Sequence, residues 1–177
     1  MDTMETICKR RSIRSYTGEN IAPEELKKIL KAANAAPVGM GQYEKMHLTV
    51  IQDPQLLEKI DKACAAMMGM PDVHALYGAP LLVLVSFQAG EKPVDNVGAS
   101  NAAIVVHNMV LEATELGIGA CYIWGAIAAL NASPTLVEEL GLPQGFVPCC
   151  GVTLGKTGEV YEMRDIPEDR IKTAFLG

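Results

Sequence analysis

The spacing of hydrophobic positions divides the chain into alternating helical and strand-like segments. Apolar residues recur at helical spacing after Pro23 and after Pro54, and a proline in the first turn favours a helix start at both places. The segments 46–51 and 146–154 read as strands. Residues 81–87 are continuously apolar, which is typical of a strand buried on both faces. This alternation predicts a sheet covered by helices.

The longest apolar segment is a predicted helix from about Val97 to Leu116, which ends at Gly117-Ile118-Gly119. Its apolar residues cover most of the circumference, so we expect it to be buried, either centrally or in a subunit interface. A strand over 120–124 and a short capped helix from Ser133 to Leu140 follow. About five strands and five or six helices result, which predicts one α+β or α/β domain over residues 1–177.

The composition is that of a globular protein. Hydrophobic residues make up 49% and charged residues 20% of the 177 residues. The formal net charge of -6 argues against a surface built to bind nucleic acid. No apolar run is long enough to cross a membrane, and residues 1–10 carry charges instead of the apolar core of a signal peptide. We therefore expect a cytoplasmic protein with no membrane partner.

The cysteine pattern predicts free thiols. The five cysteines are an odd number, form no C-x-x-C motif and lack zinc-ligand spacing. The expected compartment is reducing, and no metal site is predicted. They are Cys8, Cys64, Cys121, Cys149 and Cys150.

A basic run near the N-terminus is the strongest candidate for chemistry. It reads Lys9-Arg10-Arg11-Ser12-Ile13-Arg14. Guanidinium groups offer N–H donors that match a phosphate, and the serine adds a hydroxyl donor. If the segment is extended, Arg10, Ser12 and Arg14 point to the same side and could grip one anionic ligand at several points. The alternative is a solvated basic turn that caps the end of a helix.

Four segments, taken in order, resemble the motifs of the nitroreductase-like FMN flavoproteins. Residues 10–16 (RRSIRSY) resemble the family's RRSxRxF/Y opening, and residues 35–40 (AAPVGM) its A-P-S-x-x-N loop. Residues 112–121 (EATELGIGAC) resemble the A-x-x-L-G-L-G turn, and residues 151–155 (GVTLG) the strand that ends in L/I-G. No single motif is specific, but their order and spacing over nearly the whole chain are.

This resemblance implies both a fold and a reaction. The fold would be nitroreductase-like, with a central, mostly antiparallel sheet of about five strands between helices and a C-terminal tail that extends onto the partner subunit. The protein would be a homodimer with FMN at the interface. It would use NADH or NADPH to reduce nitroaromatics, quinones or a related small acceptor, by ping-pong hydride transfer through flavin N5. The alternative is a flavin storage or sensor protein without general reductase activity.

The resemblance also implies which residues hold the flavin. Arg10 and Ser12 match phosphate and ribityl ligands, Arg11 would share the phosphate, and Arg14 would reach the pyrimidine edge. The tail arginine of the phosphate site is best matched by Arg164, with Arg170 and then Lys156 as alternatives. Two further segments would contact the flavin. A loop from the other subunit comprises Pro37, Val38, Gly39 and Met40, and a segment near flavin N5 comprises Trp124, Gly125 and Ala126. No catalytic side chain is expected, because hydride transfer at N5 needs no protein acid or base, and Arg14 would tune the flavin.

The chain departs from the family pattern at several positions. Gly41 stands where the family usually has asparagine, so the amide contact to the flavin is either lost or supplied by Gln42. The stretch between Phe87 and Val97 is too short for extra covering helices, and Gly69–Tyr77 is a candidate small lid. Trp124 either narrows the substrate pocket or packs in the core. Outside these motifs, we expect His74 to be structural or to face the pocket, and Met67, Met68 and Met70 to pack in the core.

Overall fold

The computed structural model describes residues 2–90 and 93–177. Within them the chain forms six α-helices and four β-strands. In chain order these are α1 (Thr3–Lys9), α2 (Pro23–Asn34), β1 (Met46–Ile51), α3 (Pro54–Met68), β2 (Leu81–Gln88), α4 (Asn96–Glu115), β3 (Gly119–Ile123), α5 (Gly125–Asn131), α6 (Pro134–Glu139) and β4 (Phe146–Gly155).

Aspartate side chains fix the starts of three helices. Asp2 accepts a hydrogen bond from the Glu5 N–H at α1, and Asp53 accepts one from Gln55 at α3. Asp95 does the same for the Gly98 N–H at α4. Such N-caps satisfy backbone donors that have no partner within the helix and place a negative charge at its positive end. The local sequence therefore sets where these helices begin.

The sheet is antiparallel throughout, with strand order β1-β2-β4-β3. The mixed α/β class and the antiparallel sheet confirm the predicted fold class. Four strands occur in the described residues, against about five predicted. β3 lies at one edge, where the Ile13 N–H donates to the Ala120 carbonyl at 2.9 Å. The N-terminal segment is thereby fastened to the sheet.

Helices cover both faces of the sheet and create two apolar layers. One layer joins α2 and α4 to the sheet, and the other joins α3, α5 and α6 to the opposite face. Residues 81–87 are all buried, as their continuous apolar pattern predicted. Alternate residues of this strand enter opposite layers: Val83 and Val85 lie in the first, and Leu82 and Leu84 in the second.

Several local predictions were wrong or incomplete. Helix α5 was not predicted, and β3 ends one residue before Trp124. Met67, Met68 and Met70 are each 52% exposed, so they do not pack in the core, because the buried residues of α3 end at Cys64 and Ala65. The short segment between Phe87 and Val97 includes Glu91 and Lys92, which lie outside the described residues. Among the described helices, none has the length and apolarity to span a membrane.

Gly155, the last residue of β4, lies where three parts of the chain meet. A Cβ atom added there would lie 2.7 Å from Pro80 Cδ and 2.9 Å from Tyr16 Cδ1. Tyr16 is itself held, since its hydroxyl donates to the Ile13 carbonyl at 3.0 Å and lies 2.8 Å from Thr153 Oγ1. Because neither a proline ring nor an anchored tyrosine can move easily, only glycine fits here.

Gly155→Ala should lower the free energy of unfolding by about 1–3 kcal/mol, because overpacking forces neighbouring groups to shift. Urea denaturation of the purified protein measures this change. Gly158→Ala is the matched control, since its added Cβ meets no atom within 4 Å, and it should stay within about 0.5 kcal/mol. Equal stabilities of the two variants would contradict the close packing at Gly155.

Candidate functional site

The segment 10–14 runs alongside the edge of the sheet and separates its side chains into two groups. Ile13 is fully buried, and its N–H bonds to β3. The side chains of Ser12 and Arg14 lie close to the thiol of Cys121 on the same strand. Burial raises the pKa of this thiol, while the charges of Arg14 and Arg10 lower it. The structure thus brings Arg10, Ser12 and Arg14 together around one residue of β3, as the extended pattern predicted.

Arg164, from the C-terminal tail, joins this group at the end of α1. Its Nε donates to the Cys8 carbonyl at 2.7 Å, and a terminal nitrogen donates to the Ile7 carbonyl at 3.3 Å. Burial lowers the pKa of Arg10, and the positive charge of Arg164 lowers it further. In residues 2–90 and 93–177, neither guanidinium forms an ion pair with a carboxylate. Two adjacent cations without a counterion favour binding of an anion.

The other basic candidates are engaged elsewhere or exposed. Arg11 forms an ion pair with Glu159. Lys156 lies 2.8 Å from both carboxylate oxygens of Glu25, and this contact lowers the Glu25 pKa. Arg170 is exposed in the tail. Of the three tail candidates, Arg164 is the one whose charge lowers the pKa of Arg10, in addition to the larger effect of burial.

Arg14 also contacts the candidate lid. Its guanidinium carbon lies 5.7 Å from the centre of the Tyr77 ring. The pKa of Arg14 is raised, first by the Tyr77 side chain and then by Cys121. The sequence placed Tyr77 at the end of the lid but did not predict this contact. Neither pattern nor spacing could have found it, because the two residues are far apart along the chain and belong to different elements.

The lid segment is anchored close to Tyr77. The Leu76 N–H donates to Asp61 on α3 at 2.7 Å, and the Leu76 side chain is buried. The His74 ring lies 3.7 Å from the same carboxylate and is mostly exposed. These contacts tie the residues just before Tyr77 to α3.

The loop at residues 37–42 is anchored on α4. Gly39 N–H donates to Asn101 Oδ1 at 3.0 Å. Val38 is only 8% exposed, so its side chain packs within its own subunit, whereas Met40 is 84% exposed at φ 57°. Pro37 and Gly41 are exposed and Gln42 is half-buried. This loop therefore presents backbone and the Met40 side chain outward.

The segment 124–126 lies between β3 and α5. Trp124 is 65% exposed, so the alternative that it packs in the core is wrong, because β3 ends at Ile123 and Trp124 lies at the surface, just before α5 begins. Gly125 is exposed and Ala126 is buried. A strand rises about 3.3 Å per residue, so Trp124 lies about 10 Å along the chain from Cys121. The predicted second contact region is thus at the end of β3, the strand beside which the arginine-bearing segment 10–14 runs.

Trp124 also lines a cavity of about 560 Å³. Tyr122 and Phe146 contribute two more aromatic rings, and Asn131 is among its polar residues. None of the described residues that line the cavity is charged. Its aromatic rings and its mainly apolar lining suit a planar aromatic molecule.

Together these groups suit a ligand with a phosphate and a long polar body. Arg10 and Arg164 supply charge, Ser12 a hydroxyl, and Arg14 a further guanidinium. In the part of the chain that the structure describes, no cluster of histidine, cysteine and acidic residues could hold a metal ion. The guanidinium and hydroxyl groups of the cluster can bind and orient an anionic ligand.

Comparison with known proteins gives concordant matches. The Nitroreductase family sequence model matches residues 7–156. A protein of Archaeoglobus fulgidus, provisionally named NADH dehydrogenase/NAD(P)H nitroreductase, is 30% identical over 154 residues, covering 87% of this chain and 84% of its own length. An FMN reductase [NAD(P)H] of Bacillus subtilis is 28% identical over 167 residues, covering 87% of this chain and 65% of its own.

A solved structure extends the match to nearly the whole chain. The crystal structure of a nitroreductase with bound FMN from Bacteroides fragilis has a TM-score of 0.81 at 27% identity, covering 99% of this chain and 100% of that one. A second one, from Desulfitobacterium hafniense, shows the same fold with a TM-score of 0.83 at 24% identity, over 99% and 100% of the two chains. The resemblance found in the sequence motifs is thereby confirmed, and the chain belongs to the Nitroreductase family.

Proposed function

We propose that this protein is an FMN-dependent NAD(P)H oxidoreductase that reduces nitroaromatics, quinones or a related small acceptor. The observation that carries the proposal is the convergence of Arg10, Ser12, Arg14 and Arg164 on one side of the N-terminal segment. Bound FMN would supply the hydride chemistry at N5, taking a hydride from NADH or NADPH and passing it on in ping-pong order. The FMN-bound nitroreductase of B. fragilis, similar over nearly the whole chain, supports this proposal.

The arginine cluster suggests a division of roles among its members. Arg10 and Arg164 would hold the phosphate, and Ser12 would bind the ribityl chain. Arg11 would contribute less, because Glu159 already neutralises it. Arg14 would face the pyrimidine edge, where its charge stabilises the negative charge of reduced flavin and so favours reduction.

The remaining contacts would position the ring system. Pro37, Val38, Gly39 and Met40 would approach the flavin from the other subunit. In that loop the buried Val38 could contribute only backbone, and Gln42 would replace the amide that Gly41 lacks. The Trp124, Gly125 and Ala126 segment would lie near N5, next to the uncharged cavity, where a neutral aromatic acceptor would fit.

An uncharged stripe on α4 supports a homodimer. The stripe repeats at helical spacing and is exposed or partly exposed in one subunit. It comprises Val97, Ser100, Ala103, Ile104, His107 and Leu111. Ile171, Phe175 and Leu176 in the tail are also exposed, and their burial against a partner would stabilise the dimer. The five free cysteines suit a reducing compartment, and a cytoplasmic location belongs to the same proposal.

The purified protein should show a flavin absorption spectrum that bleaches when NADH or NADPH is added without oxygen. Visible spectroscopy measures this directly, and the more effective donor identifies the nucleotide preference. Bleaching by dithionite alone would favour the storage or sensor alternative. A colourless protein that cannot be loaded with FMN would contradict both functions.

Arg10→Gln should weaken FMN binding about 10- to 100-fold, because a charged hydrogen bond to the phosphate is lost. Riboflavin, which lacks the phosphate, should bind the variant as well as it binds the wild type. Fluorescence titration of the flavin-free protein measures both affinities. Lys27→Gln removes one exposed charge as a control and should change neither. Equal losses for FMN and riboflavin would argue against a phosphate contact at Arg10.

Ile104→Glu should weaken dimerisation at least about 100-fold, because an unpaired charge in an interface costs several kcal/mol. Flavin binding should fall with it if both subunits complete the site. Analytical ultracentrifugation with detection of flavin absorbance follows both quantities. Met67→Glu introduces the same charge at an exposed apolar position of α3 and should remain dimeric. A wild-type monomer, or a dimeric Ile104→Glu variant, would refute the interface.

A further inference from the structure

Tyr77 adopts a backbone conformation that its residue type rarely adopts. Its φ is 57°, and Gly78 follows at φ 71°. A bulky residue in this left-handed region is strained, so surrounding contacts must hold it there. Those contacts are present on both sides: the Tyr77 N–H donates to the His74 carbonyl at 3.0 Å, and the Ala79 N–H donates to the Leu76 carbonyl at 3.0 Å. Leu76, its immediate neighbour, is buried and bonded to Asp61.

This turn places the Tyr77 ring against Arg14. The guanidinium carbon lies 5.7 Å from the ring centre, and the Tyr77 side chain raises the pKa of Arg14. Arg14 also lies close enough to Cys121 on β3 for its charge to lower the pKa of that thiol, against the larger effect of burial. A long exposed arginine otherwise samples many rotamers, and each of these contacts removes some of that freedom. Arg14 is thus held between the sheet and the lid before any ligand arrives.

We propose that Tyr77 is a positioning residue that holds the Arg14 guanidinium toward the flavin pyrimidine edge and thereby favours flavin reduction. This inference rests on the proposed function, because it assumes that FMN occupies the arginine cluster. Tyr77 would act through Arg14 and would not bind the phosphate. Its removal should therefore change the balance between oxidised and reduced flavin more than it changes binding of oxidised FMN.

The test is the two-electron reduction potential of bound FMN in Tyr77→Asn. Asparagine tolerates positive φ, so the turn should keep its shape while the ring is lost. We expect the preference for reduced over oxidised FMN to fall about fivefold, which makes the potential about 20 mV more negative. Tyr77→Phe keeps the ring and should lie between Tyr77→Asn and the wild type. Tyr77→Gly, also free of strain at this φ, is the substitute if the asparagine variant does not fold.

A double-mutant cycle separates positioning from a general loss of structure. In an Arg14→Gln background, Tyr77→Asn should cause no further change in potential, because its target is gone. The affinity for oxidised FMN, measured on the same proteins by fluorescence titration, should change less than the affinity for reduced FMN. Met70→Asn provides a control substitution in the same segment and should leave the potential unchanged.

The outcomes distinguish this inference from the proposed function. A wild-type protein that binds FMN, with a potential that Tyr77→Asn does not move, overturns the positioning role and leaves the proposed function intact. An equal shift in reduction potential in the wild-type and Arg14→Gln backgrounds overturns the positioning role in the same way, since the effect would not depend on Arg14. A wild-type protein that binds no FMN overturns both.

Discussion

The candidate site depends on the attachment of the N-terminal segment to the edge of β3. The backbone bond from Ile13 to Ala120 and the complete burial of the Ile13 side chain hold this segment in place. Burial of an isoleucine contributes about 1.5–3 kcal/mol, so a single anchor of this kind is a large share of local stability. Because residues alternate along an extended chain, the same burial directs Ser12 and Arg14 to the opposite side. Without this attachment, the basic run would be a solvated turn.

Ion pairing decides which of the basic residues remain available for a ligand. Lys9 pairs with Glu5, Arg11 with Glu159, and Lys156 with Glu25. Arg10, Arg14 and Arg164 form no such ion pair in the described parts of the chain. Arg164 donates to the Cys8 carbonyl instead, and Arg14 lies at the Tyr77 ring. A protein of net charge -6 therefore keeps a local concentration of positive charge at one place. This selective neutralisation leaves positive charge at the cluster, which favours an anionic group there.

The same elements connect the site to the rest of the molecule. Gly155 allows Tyr16 and Pro80 to approach β4, so the residues that follow the basic segment and the lid meet at the end of this strand. β3 carries Cys121 at the arginine cluster and leads to Trp124 beside the uncharged cavity. A charged region and an apolar region thus lie along one strand. That arrangement suits a ligand with an anionic end and a planar, weakly polar end.

The sequence by itself determined the fold class, the family and most element positions. Proline and aspartate at helix starts, and a continuous apolar strand, are local signals that act over a few residues. It also predicted that Arg10, Ser12 and Arg14 share a side, because alternation is a local property. It did not predict α5, whose apolar residues lack a start signal, or the exposure of Trp124 and Met67.

Only the tertiary structure decided which cations are neutralised and which side chains meet across the site. The proximity of Arg164 to Arg10, and the contact of Tyr77 with Arg14, depend on residues distant in the chain. Pattern and propensity describe a residue and its near neighbours, whereas an ion pair or a ring contact depends on how the layers pack. The sequence therefore sets the chemical group available at each position, and the packing of the layers brings these groups together into one site.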